Sequence, residues 1–202
     1  MSEMMKMIGR VLSANSAECV VSYCVGENEI PAFGSMLRIP LANGTEIYGI
    51  VTDVTMEEDG FLRKIAASPE IPEEVLLDNQ QNRNVPIVLR LHFLGYRVDD
   101  RILHLLPPNP PMTLASIYAC TDREVTLFTR KLGYLRLLLN VTNIPVSELM
   151  SVHIHYASRS HAACEDAEWT QEAVDEIIDL LRDDYDTLTK VLCTIADADI
   201  SF

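Results

Sequence analysis

MIGRVLSANSAECVVSYCVGENEIPAFGSMLRIPLANGTEIYGIVTDV, running from Met7 to Val54, is the stretch on which the fold turns. It holds three or four short β-forming runs punctuated by glycine, with no gap long enough for a crossover helix, so consecutive strands pair antiparallel. Leu37, Ile39 and Leu41 fall on one face, the alternation of a half-buried strand. Glu46 to Val54 carries apolar side chains on both faces, with Gly49 at its middle, where a glycine marks a bulge or a coil that curls a small sheet shut. Asn43-Gly44 between Leu41 and Ile47 predicts a tight hairpin, and Gly34 after Pro31-Ala32-Phe33 another turn. The joint spacing favours a small antiparallel barrel.

Working outward, Ile8 to Val11 opens the first strand and Cys19 to Val25 returns as the second. Residues 56–84 show no sustained period; Pro72 ahead of Glu73–Leu77 predicts one short helix in what reads as a mobile or binding insertion. Ile87, Leu89, Leu91 and Phe93 alternate with Val88, Arg90 and His92, the clearest strand in the chain. After Asp99-Asp100 the run Ile102–Leu106 turns back, which sets His92 and His104 facing each other on the solvent side with no third metal ligand near them. Four prolines (Pro107, Pro108, Pro110, Pro111) then form a stiff connector that ends the sheet and marks the module boundary.

The segments Ile8–Val11, Phe33–Ile39 and Tyr48–Val54, followed by Leu94-Gly95-Tyr96 and the proline cluster Leu106–Pro111, resemble the barrel shared by HerA-type translocases and the ATP-synthase subunits, the HerA version most of all. The resemblance spans Met7 to Thr121. It implies a closed barrel whose outer wall docks beside neighbouring copies or clasps a partner. In those families a phosphate-binding motor follows the barrel. Here about ninety residues of helical pattern follow it, and the chain has no GxxxxGK[ST], GxGxxG, GxSxG or HExxH. ATP hydrolysis is therefore not carried over.

Beyond the connector the period changes from two to about three and a half. Thr121-Asp122-Arg123-Glu124 fits a capping box, and Val125, Phe128, Leu132, Leu135 and Leu139 mark one face of the helix it opens. A second helix starts behind Pro145 with Val146, Leu149, Met150 and Val152. A third, the longest, starts near Asp166: Val174, Ile178, Leu181, Tyr185, Leu188, Leu192 and Ile195 step by four and three as a candidate seam, widened by Ile177 and Val191. Such a seam serves a bundle inside one chain or an interface between chains. His153, His155 and His161, with Cys164 and Glu165, are the one cluster of metal-ligand type, but on a helix His153 and His155 point about 200° apart.

Sixteen Lys and Arg against thirty Asp and Glu leave a net charge of −14. Between Glu165 and Asp199 twelve acids meet only Arg182 and Lys190, which is −10 in that piece. Such a surface repels phosphate backbones, so direct nucleic-acid binding is disfavoured and a basic protein surface is the natural complement. Five scattered cysteines without a CxxC pair, no long apolar run and no secretory leader suit a cytoplasmic chain with free thiols.

The expectation is an α+β chain: residues 1–111 an antiparallel, Greek-key-like barrel of about six strands with the 56–84 insertion, and residues 112–202 an acidic module of about three helices. The function expected is non-enzymatic assembly or adaptor work, with a protein partner that is another copy of the chain or a translocase-type ATPase, and with no cofactor, membrane or nucleic acid. Two other readings stand beside it. One is a metal-dependent or histidine-assisted enzyme using His153, His155 and His161; the other is a regulatory module that holds a small ligand in the barrel or between the modules.

Overall fold

The computed structural model describes residues 7–23, 30–56, 74 and 87–197. Within them the strands are β1 (Met7–Ala14), β2 (Glu18–Tyr23), β3 (Met36–Pro40), β4 (Glu46–Met56), β5 (Ile87–Val98), β6 (Arg101–Leu103) and β7 (Ser116–Ala119). The helices are α1 (Asp122–Thr129), α2 (Leu135–Leu138), α3 (Val146–Ala163), α4 (Trp169–Leu180) and α5 (Tyr185–Asp197), with a 3₁₀ turn at Leu132–Tyr134. Cys24 and nearly all of the 56–84 insertion, including its expected short helix apart from Glu74, lie outside the described residues.

Six strands close on themselves in the order β1, β2, β5, β4, β3, β7 and back to β1, every pair antiparallel. Closure leaves no open edge inside the ring. The Asn43-Gly44 hairpin stands as expected between β3 and β4, with Gly44 at φ 82°. The sixth member is not the expected one. The run after Asp99-Asp100 yields only β6, which lengthens the β5 hairpin outside the ring. The proline connector does not end the sheet either: β7 lies beyond it and pairs with both β1 and β3, so the barrel continues past residue 111. Four residues with one central apolar side chain, Ile117, carry too little alternation to announce a strand.

Bulges bend the strands enough to close so small a ring. Register slips by one residue at Ile8, Leu12 and Thr52, and opposite the Tyr48–Gly49 step at Leu94. The extra residue at Leu94 gives β5 two jobs. Leu89, Leu91 and Phe93 fill the barrel interior, whereas Leu94 joins the apolar core on the helix side. The two apolar faces of β4 have the same explanation: Ile47 and Val51 point inward, and Tyr48 and Ile50 meet the helices. Gly9 is required for a different reason. A Cβ there would lie 2.1 Å from the Ser22 carbonyl oxygen on β2.

The helices cover the β3–β4–β5 wall and share a core with it, in which Met36, Tyr48, Ile50 and Leu94 pack among Phe128, Tyr134, Leu138, Ile154 and Trp169. The capping box at Thr121 forms as read, with Glu124 N–H donating to Thr121 Oγ1 and Thr121 N–H donating to Glu124 Oε2. That helix is shorter than its periodicity. Lys131 is extended at φ −105°, ψ 130°, which breaks α1 from the 3₁₀ turn and α2. The expected long third helix is likewise two. Asp184 accepts hydrogen bonds from Thr187 N–H and Oγ1–H, capping a fresh helix one residue later, while α4 has ended at Leu181.

Candidate functional site: the joint between barrel and helices

The joint is built around α3. Gly34, at φ 82°, lets the β2–β3 loop pass so close that a Cβ there would lie 2.7 Å from Val152 Cγ1. Its carbonyl thereby reaches His153, whose Nδ1–H donates to it at 3.2 Å, and Tyr134 O–H donates to Nε2 of the same ring at 2.9 Å. A carbonyl only accepts, so this pairing fixes one neutral tautomer. Burial pushes His153 down to about 4, with the Gly34 hydrogen bond partly opposing, and burial also raises Tyr134.

His161 sits two turns away in different company. It is fully buried, its Nδ1 lies 2.8 Å from Asp166 Oδ2, and its Nε2 lies 2.8 Å from Thr129 Oγ1. Carboxylate, imidazole and hydroxyl thus line up in the order of a hydrolytic triad. The hydroxyl is sealed, however. Thr129 has no exposed surface, its Oγ1 also reaches the Val125 carbonyl at 2.7 Å, and Trp169 stacks on the imidazole at 4.2 Å while donating Nε1–H to Thr129 O. No substrate atom reaches that oxygen, and the array's evident work is to tie α1 to the turn between α3 and α4. Burial lowers His161, and its bond to Asp166 works the other way.

The three candidate histidines are therefore not brought together: His155 is half-buried against Tyr156, while His153 and His161 lie about 12 Å apart along the helix. Among the described residues no three His, Cys, Asp or Glu side chains are grouped to hold a metal ion. His92 and His104 do not face each other. His92 lies opposite Glu18 and Ile50, buried, whereas His104 lies past β6 with its Nε2–H donating to Phe128 O at 3.0 Å. Burial lowers both.

A charged clamp completes the joint, and no sequence motif announced it. Arg38 on β3, 4% exposed, has Nη1 3.3 Å from Glu46 Oε1 and Nε 2.7 Å from Glu124 Oε1. The Nε contact is one of charge only, because Nε–H makes no hydrogen bond. Arg97 shares Glu46 at 2.8 Å, and Tyr118 of β7 lies under the guanidinium at 5.4 Å. Glu124 is thus capping glutamate and clamp at once. Beside it an open groove of about 590 Å³ runs between the β2–β3 loop and α3, with Tyr156, Arg159 and the Ser160–Asp122 pair on its walls; Ser160 Oγ–H donates to Asp122 at 2.7 Å.

The candidate seam divides in the same way. Val174, Leu181 and Ile195 are buried, Leu188 and Leu192 are half-buried against the helix core, and Ile178 and Tyr185 stand exposed at 39% and 76%. A continuous stripe needs a continuous helix, and the turn at Leu181–Asp184 rotates its two halves apart.

On the opposite side none of the described helices covers the barrel wall. Leu12, the extra residue of the β1 bulge, is 45% exposed, and Met112 and Leu114 are 79% and 62% exposed. Leu114 N–H donates to Val11 O at 2.7 Å, and Arg10 Nη1–H donates to Leu114 O, which hold Leu114 in the left-handed conformation at φ 66° beside the bulge. No protein-family model matches the chain, and no curated protein matches it. No helix among the described residues is long and apolar enough to cross a membrane.

Proposed function

We propose that the chain is a non-enzymatic assembly or adaptor protein of the cytoplasm, a stand-alone relative of the HerA and ATP-synthase barrels that docks a partner protein on its barrel wall. The observation that carries this reading is the ridge of Leu12, Met112 and Leu114: large apolar side chains held outward by a bulge and a strained turn on the wall that the described helices leave bare. A strained non-glycine residue costs about 1 kcal/mol or more, and such strain clusters where a surface is used. The sealing of His153 and His161 lends the reading further support, since both rings have their nitrogens engaged inside the fold. The partner is a translocase-type ATPase or another copy of the chain.

The test is a photo-crosslinker at position 112 in cells, with each captured chain identified by mass spectrometry. One reproducible partner, lost from Leu114→Asp at unchanged melting temperature, is expected. Capture that is absent, or is the same in both variants, overturns the proposal. A second reading, a small polar ligand in the groove beside Tyr156 and Arg159, rests on its volume of about 590 Å³; a thermal-shift screen of metabolites separates it from docking.

A further inference from the structure

Between α1 and β6 lies a depression of about 420 Å³ whose floor is Leu103, Leu127 and Phe128 and whose rim carries Arg101, Arg130 and Lys131. One acid, Asp100, stands on that rim. Leu127 is 48% exposed although its neighbours on the helix are charged. At the start of α5 the chain carries the converse shape: Tyr185, 76% exposed, in the run Asp183-Tyr185-Asp186 once Asp184 is engaged as the helix cap. Asp183 has one weak neighbour, Arg182 at 3.7 Å, and both side chains are largely in water.

We infer that these two features are complementary halves of one contact, in which Tyr185 of one copy enters the basic-rimmed depression of a second copy. The apolar ring meets an apolar floor, and Asp183 and Asp186 meet the arginine and lysine rim. Tyrosine suits such a role because it presents a large, stiff surface with a polar tip, and tyrosine and arginine are the side chains on which small interfaces most depend. The net charge of −14 opposes self-association, but at physiological salt the screening length is about 8 Å, so the charges at the contact outweigh the distant ones. Peg and hole lie on different surfaces, so the contact is heterologous and each copy keeps one unfilled partner site. A ring results if the rotation closes and a filament if it does not. This contact uses neither Leu12, Met112 nor Leu114 and stands apart from the partner docking proposed above.

Sedimentation velocity over a concentration series at physiological salt tests it. The full chain is expected to gain mass with concentration, and Tyr185→Ala, a change at an exposed position, to weaken that association by at least about tenfold. Arg130→Glu with Lys131→Glu in one variant, and Asp183→Lys with Asp186→Lys in another, are each expected to remain monomeric alone and to associate when mixed. A full chain that is monomeric throughout, a Tyr185→Ala protein that associates as the parent does, or reversed variants that ignore each other overturns the inference. Leu114→Asp is the control that separates the two surfaces: introduced into both charge-reversed variants, it is expected to leave their association on mixing unchanged.

Discussion

The barrel interior and the joint between barrel and helices are equally dry, yet the joint adds buried polar pairs to its apolar core. Inside the barrel, Ile47, Val51, Leu89, Leu91 and Phe93 are wholly buried and interlock by shape, and the thiol of Cys19, pushed up to about 12 by burial and then by Glu18, stays protonated. At the joint, His153, His161, Arg38, Thr129 and Ser160 are buried too, and each has partners fixed by geometry. Apolar packing tolerates small errors of angle and offers little directional information. Buried polar pairs are unforgiving and therefore specify how two elements meet. The lesson is that the barrel interior is filled by volume alone, whereas the seating of the helices adds directional contacts, His153 to Gly34 and Arg38 to Glu124, to a shared apolar core.

The comparison breaks most visibly with Phe93→Ala. It is expected to cost ~3–5 kcal/mol in urea denaturation, by an amount that is flat between pH 5 and 8, because only apolar contact is lost. His153→Leu is expected to cost ~2–3 kcal/mol at pH 7, since Gly34 O and Tyr134 O–H lose their partner. It also sharpens the contrast through pH. The folded-state value of His153 lies near 4 and the unfolded value near 6.5, so protons favour the unfolded chain. Its contribution is complete above pH ~6.5 and falls away towards pH 4, and the leucine variant is expected to flatten that decline.

Arg38→Met removes the buried cation that Glu46 and Glu124 share and is expected to cost ~2–3 kcal/mol, less than the ~3–5 of a fully buried pair, because both carboxylates keep some contact with water, Glu46 keeps Arg97 and Glu124 keeps the Thr121 amide. Adding Glu124→Gln is expected to recover part of the loss in a double-mutant cycle, and no recovery would show that the clamp is not a unit. The smallest effect belongs to the pair Arg90–Glu18, 3.3 Å apart and over 30% exposed at each end. Arg90→Gln is expected to stay within ~0–1 kcal/mol, which screening by added salt should reduce further.

The barrel was legible because strand alternation and turn glycines are local. Leu37 and Ile39 face inward as read, and so do Ile87, Leu89, Leu91 and Phe93. The capping box was legible for the same reason: Thr121 and Glu124 are three residues apart. What stayed hidden depends on distance along the chain. Thr129 meets His161 across 32 residues, and His153 meets Gly34 across 119, so the partners that seal the histidines carry no local signal. The break between α4 and α5 was hidden by apolar spacing that continues straight through Leu181 and Tyr185, while the decisive residue, Asp184, looked like one more acid in an acidic run.

The last of the described strands along the chain is also the one that joins the first to the third. Ser116–Ala119 seals β1 against β3, and it leaves the ribosome only after the four prolines have passed. Until then the nascent chain holds two unsatisfied strand edges, so a fragment stopped at residue 111 is an open sheet inviting intermolecular pairing. Chain order alone keeps this keystone back until every strand it must span has been made.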